Sequence, residues 1–374
     1  MIYFDPNIVP ALDPNPLPAP YWVFKLLLIV TFFLHVIAMN FLLGGAFVAL
    51  GAKWFSKDNK HGFRVFFDVV KKLPSFLAAT ITLGIAPLLF VQVLYGQFFY
   101  SSSIVIAWPW FFVLVFITVA YYGFYYVSFR AGKEGGRPVL VQTLSALLIF
   151  CVGFIYSNNF TLLEHPDRWG GKYLAAPSGW NLNLTEPTLF PRYLHMFVGS
   201  MALGGLFLVY IAIANWKRDN EYARQVFAFG GKTFMYATMT QFIVGPLYLI
   251  SLPRDTRMLF MGDSPLPSAL LMTGIMGGLV AIVLMSNALR TEKLRMAGYV
   301  VPGITAVVLL CMVVMRSIVR DAALKAWFEP SNFAIKTQWS VFLIFLGLFV
   351  GGVALWLVML YRYFGAKKTE QTKL

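Results

Sequence analysis

Of the 374 residues, 59% are hydrophobic and 12% are charged, and the mean hydropathy is positive. Soluble domains carry about 25% charged residues, so the composition excludes a soluble globular chain and predicts an all-α integral membrane protein. A net charge of +14 raises the question of nucleic-acid binding, which the placement of the charge answers below.

The opening "MIYFDPNIVPALDPNPLPAP" is acidic and proline-rich. It has neither the basic start nor the cleavage site of a signal peptide, so the first apolar run is expected to stay in the protein. Runs of roughly 20 or more apolar residues, enough for a ~30 Å hydrocarbon core, then recur to the end of the chain. They predict nine spans, at 21–51, 74–96, 106–129, 138–157, 192–216, 226–252, 267–289, 298–316 and 338–362. No soluble domain fits between them and no internal repeat stands out, so residues 1–374 read as a single polytopic membrane domain.

Twenty of the 30 Lys and Arg residues fall after spans 1, 3, 5 and 7 (counting Lys232 at the start of span 6) or in the C-terminal tail. Nine fall on the other side, and Lys25 lies within span 1. The positive-inside rule therefore predicts a periplasmic N-terminus and a cytoplasmic C-terminus, in a multi-pass protein of the bacterial inner membrane. The basic charge records orientation against lipid, and nucleic acid is not an expected partner.

Chemistry within the spans is sparse. All 16 acidic residues sit in loops, termini or connections, which weakens a proton-coupled carrier, because such carriers keep intramembrane carboxylates. Cys151 and Cys311 lie in separate spans, and no C-x-x-C-H occurs, so neither a disulfide framework nor a covalently attached c-type haem is expected. Two histidines fall inside spans, His35 and His195; His61 and His165 read as solvated loop residues.

His195 lies four residues past Pro191, about 6 Å along span 5. Met272 lies about 8 Å from the outer end of span 7 on the same rise per residue. A His and a Met at one depth can serve as an axial pair for a b-type haem. Arg192, three residues before His195, shares its helical face and can hold a propionate. The small residues of "GSMALGG" and "TGIMGG" admit a flat macrocycle, but equally a neighbouring helix. For either histidine the plain alternative is an interhelical hydrogen bond.

At these residues the chain resembles subunit I of the cytochrome bd quinol oxidases. The resemblance is carried by the span 1 histidine followed by "LLGGAFVAL", by "LGIAPLLFVQVLYGQFFYSSS", by "LSALLIFCVGFIYSNN", and above all by "RYLHMFVGSMALGGLFL". It implies that His195 ligates a low-spin haem with Arg192 beside it, and that Met272 in "LMTGIMGG" is the second ligand. It further implies that His35 serves an oxygen-side haem, giving one to three haems b in all, with quinol or quinone as substrate.

The chain departs from that family where oxygen is reduced. Leu88 or Leu89 stands at the expected carboxylate of span 2, span 3 has no acid, and Met312 or Met315 stands where span 8 has Glu. The connector that carries quinol contacts is cut to "PRDTRMLFMGDSPLP", leaving Arg254, Asp255 and Arg257 as weak quinone candidates. A thioether can ligate haem but cannot relay a proton. The expectation is therefore a divergent, electron-transferring b-type cytochrome, a quinol dehydrogenase subunit. It would work between the quinone pool and a periplasmic c-type cytochrome, among other membrane subunits. A working oxidase with another proton path and a haem-free quinone-binding anchor are the rivals.

Overall fold

The computed structural model describes residues 9–55, 59–130 and 138–370. They form α1 (Tyr21–Phe55), α2 (Asn59–Val70), α3 (Leu73–Val105), α4 (Ala107–Arg130), α5 (Pro138–Leu163) and α6 (Trp169–Ala175). These are followed by α7 (Leu189–Asn215), α8 (Asn220–Ser251), α9 (Arg254–Met258), α10 (Pro265–Thr291), α11 (Val301–Leu324) and α12 (Trp339–Glu370). Among the described residues nine helices are long and apolar enough to cross a membrane, at the places the hydropathy pattern predicts. No strand occurs among them, only an isolated bridge between Leu17 and Ile335. Backbone groups in hydrocarbon have no water to bond, so helices that satisfy themselves are the expected solution.

The chain divides into two compact units. The smaller joins residues 12–26 to 329–374, where Leu17 donates to Ala334 O at 2.8 Å and Tyr21 stacks on Phe333 with centroids 5.9 Å apart. The larger holds residues 27–328 and every side chain discussed below.

Within that larger unit α7 is the central helix: 61% of its most apolar stretch is buried, more than in any other span. Its small residues explain why. A Cβ on Gly44 of α1 would stand 1.8 Å from the Ser200 carbonyl oxygen, and one on Gly205 would stand 2.5 Å from the Phe234 backbone of α8. Backbones this close leave no room for any side chain, so glycine here sets the helix spacing, as packing without a hydrophobic driving force favours. Leu206, Phe207, Leu208 and Val209 then pack with Leu42, Ala46 and Phe234 as the centre of the core.

Two short segments close the bundle. The amphipathic α2 buries Phe66, Val69 and Val70, while Tyr222 at the start of α8 donates to Asp68 at 2.7 Å and Arg64 pairs with Asp219. The α5–α7 connection is tied down by amides: Asn183 N donates to Asn158 Oδ1 at 2.8 Å, and Trp169 Nε1 donates to Leu162 O at 2.9 Å.

Candidate functional site

Where α7 begins, Arg192 and His195 lie one turn apart and face the interior of the bundle. Arg192 is buried, and it is already paired. Its Nη1 and Nη2 donate to Glu164 Oε1 and Oε2 at 3.0 and 2.6 Å, a two-pronged contact with the acid that follows α5. Burial pushes the Glu164 carboxyl up, but the charge of Arg192 and its two hydrogen bonds pull harder, holding it below the usual carboxylate value. Arg192, expected from the sequence to hold a propionate, lines the cavity beside it with its Nη groups on a carboxylate of the chain itself and its Nε without a partner.

Beside this pair lies a cavity of about 350 Å³, walled by α1, α7, α8, α10 and α11. His195 lines it, with its ring 6.2 Å from that of Tyr248. Its Nδ1 is sealed from solvent and has no hydrogen-bond partner. A buried imidazole without a partner is costly, so the helix-packing role proposed as its alternative is not what the geometry displays. Met312 and Met315 line the same cavity from α11. Met315 belongs to the apolar cluster that includes Tyr248, which places it at the His195 end.

Arg316 completes this end, and sequence inspection passed over it. It lines the cavity with its guanidinium carbon 4.5 Å from both the Phe32 and the Phe160 rings. Among the described residues it forms no ion pair. Its neighbour Arg320 does find partners: it donates to Ser317 Oγ at 3.0 Å and to Tyr95 Oη at 3.3 Å, and lies 3.8 Å from Asp321. With Arg192 neutralised by Glu164, Arg316 is a cation on the cavity wall that calls for an anion. The signal was available: an arginine within a predicted span is expensive and marks function.

The sequence-predicted partner of His195 lies elsewhere. Met272 is 56% exposed and sits in a separate apolar groove with Met276, Gly277 and Val308, on the outward face of α10. The cavity face of that helix is Leu271, Gly274, Ile275 and Gly278. Met272 thus lies one residue, or about 100°, off the stripe of α10 that lines the cavity.

His35 is also apart from His195. It turns to α3, where its Nδ1 lies 3.0 Å from Thr80 O and its Cε1–Nδ1 edge lies 2.9 Å from where a Cβ on Gly84 would be. That carbonyl can only accept, so Nδ1 carries the proton and Nε2 keeps a lone pair. On the same helix Leu88 is half-buried and Leu89 is exposed.

Arg254 and Asp255 are exposed on α9, and Arg257 donates to Ile250 O at 3.0 Å, capping α8; none of the three lines the cavity. His165 is not free in solvent: its Nε2 is 3.5 Å from buried Glu186, which also binds Arg168 at 2.6 Å. The side chain of His61 falls outside the described set.

A haem site needs axial nitrogen or sulfur donors, cations for the propionates, and a close apolar slot. The cavity offers His195, the α11 thioethers and Arg316, and a Cβ on Gly274 would meet nothing within 4 Å, so the slot is open there. These residues fit the group.

No family model matches the chain, and no curated protein matches it. Among solved structures, the chain is similar to one from the bd oxidase of Geobacillus thermodenitrificans, with a TM-score of 0.74 at 13% identity. The match covers 94% of this chain and 100% of that one. At this identity the likeness shows a shared fold: a helical membrane protein built as that oxidase chain is built.

Proposed function

We propose that this chain is a membrane b-type cytochrome that passes electrons between the quinone pool and a redox partner such as a c-type cytochrome, without reducing oxygen. The observation that carries it is His195, an unpartnered imidazole on the wall of a cavity that also presents two thioethers and an unpaired arginine. The group held there supplies one-electron transfer when bound.

The chain's own residues have separable tasks. His195 would offer a ring nitrogen to the haem, and Met315, which lines the same cavity, would offer the sulfur that the sequence assigned to Met272. Arg316 carries the charge that holds a propionate. The Glu164–Arg192 pair fixes the start of α7 and so the height of His195. His35, turned toward α3 with Nε2 free of a proton, is the candidate for a further haem, giving one to three in all.

No carboxylate among the described residues lines the cavity, and on the resemblance Leu88 or Leu89 and Met312 or Met315 stand where carboxylates would feed protons to oxygen. Proton delivery needs an acid within hydrogen-bond reach, directly or through one water. The positive-inside distribution supports a periplasmic Arg192 end in a bacterial inner membrane, and that orientation would favour a periplasmic acceptor. The shortened connector with Arg254, Asp255 and Arg257 remains the place for quinone contacts by family position, with Arg257 least free to move.

The test uses the purified protein in lipid nanodiscs. Excess quinol is expected to reduce the haem while oxygen consumption stays at the blank rate, and an oxidised c-type cytochrome is expected to reoxidise it. Rapid oxygen uptake with no added acceptor would overturn this and favour the oxidase reading that the fold likeness keeps in view. A pyridine haemochrome assay with no haem would instead leave a quinone-binding anchor.

A further inference from the structure

The stretch that joins α6 to α7 has the wrong composition for a loop in water. Residues 173–185 carry no charge, and Tyr173, Leu174, Trp180 and Leu184 are all exposed, Leu174 at 78% and Trp180 at 57%. Loops over an aqueous surface are polar, and a run of exposed large apolar side chains marks a contact.

This stretch is fastened to the junction of α3 and α4. Asn181 Nδ2 donates to Val105 O and to Ala176 O, each at 3.0 Å. Gly179 O accepts from Trp108 N at 3.2 Å and so satisfies one of the free amides at the start of α4. Gly179 has a φ of +81°, and a Cβ on it would stand 2.8 Å from Ala107 Cβ, so its conformation and its contact both call for glycine.

The fastening turns Trp180 sideways onto α4. Its ring stacks on Trp108 with centroids 5.7 Å apart and planes 13° from parallel, and it lies 5.7 Å from Phe112, one turn further along the helix. Trp108 and Phe111 are themselves exposed, so the stack continues an outward face of α4. That helix is one of the candidate spans, and the outward face of a span meets lipid.

The depth of the stack follows from the length of α4. Its 24 residues extend about 36 Å, against a hydrocarbon core of ~30 Å. A centred helix therefore leaves about 3 Å, or roughly two residues, outside at each end. Trp108, near the first residue Ala107, falls at the edge of the hydrocarbon, and Phe112 lies about 6 Å inside it. Trp180 touches both. Indole rings collect at this depth because one end is apolar and the other wet.

We propose that the α6–α7 connector is an interfacial anchor, with Trp180 inserted beside Trp108 at the glycerol level of a phospholipid bilayer. The occupant is lipid because the stack is continuous with a face that lipid covers. The flanking cations are engaged inside the connector: Arg168 binds Glu186 at 2.6 Å, and Lys172 donates to Leu182 O at 3.0 Å. The anchor is independent of what the cavity holds, and it steadies the path from Glu164 to the start of α7.

The experiment uses the full chain in nanodiscs of phosphatidylethanolamine and phosphatidylglycerol. A photoactivatable phospholipid is included, its diazirine either near the glycerol or at the chain end, and adducts are mapped by mass spectrometry. The near-glycerol probe is expected to label Trp180 and Trp108. The chain-end probe is expected to label the middle of α4 around Val119 and to spare Trp180. A Trp180 that neither probe labels, while Val119 is labelled, overturns the proposal and leaves the connector in water. In native membranes fused with the same lipids the Trp180 label is expected to persist. Its loss there, with cross-links from Trp180 to another protein, overturns lipid as the occupant.

Discussion

Removing the charge of Glu164 gives the sharpest test of how the site is held. Both partners of the Arg192–Glu164 pair are nearly inaccessible, 7% and 5% exposed, and two hydrogen bonds join them. Arg192 has no second acid: its Nε is already without a partner, and Tyr248 lies beside it with the guanidinium carbon 5.6 Å from the ring. Glu164→Leu therefore strands a buried guanidinium, which costs about 3–5 kcal/mol. For a chain of 374 residues that corresponds to a fall in Tm of about 4–6 °C. Glu164→Gln keeps one acceptor and should lose less. The control is Glu292→Gln, which breaks the Arg224 pair at 3.0 Å but leaves groups 58% and 42% exposed, worth less than about 1 kcal/mol after solvent screening.

The assay is thermal unfolding in detergent followed by tryptophan fluorescence, repeated across pH. Because Glu164 is held below its ordinary value in the folded chain, the pair's contribution is complete above the unfolded carboxylate range and is lost as pH falls through the lower folded value. Wild type should thus lose stability in that acid window more steeply than Glu164→Leu does. Equal melting of Glu164→Leu and Glu292→Gln, with parallel pH profiles, would refute the buried pair as the fastening of α7.

Other outcomes follow from the same geometry. Met315→Leu is expected to lower the potential of the low-spin haem or convert it to high-spin, whereas Met272→Leu, on the outward face of α10, should leave both unchanged; redox titration with absorbance spectra decides. His35→Ala is expected to lower the haem-to-protein ratio while leaving the His195-dependent signal; full haem content with a loss near 1 kcal/mol would assign His35 to helix packing through Thr80 alone. Gly44→Ala should fail to accumulate folded protein, because its Cβ would overlap a backbone carbonyl that cannot move aside, whereas Gly274→Ala should fold normally.

The nine spans were legible because a helix that must cross hydrocarbon announces itself by length and composition, and their order was enough to bring His195 near a cavity. Azimuth was less legible. Depth along a helix counts at 1.5 Å per residue, but which neighbour a residue faces depends on how the helix is rotated in the bundle, and Met272 lines a different groove from His195. Glu164 looked like a loop acid because it follows the last apolar residue of α5; only the packing of α5 against α7 shows it buried. Arg316 was hidden differently, between methionines that drew the comparison with a carboxylate. Its own position inside a span was the clue.

The central claim is that His195 holds a haem in the α7 cavity. The measurement is the pyridine haemochrome ratio of haem to protein, taken with the reduced-minus-oxidised spectrum, for wild type and His195→Ala purified side by side. The account predicts haem b in the wild type and the loss of one low-spin signal in the variant, with the folded protein retained. Identical haem content and spectra in the two proteins, or no haem in either, would contradict it.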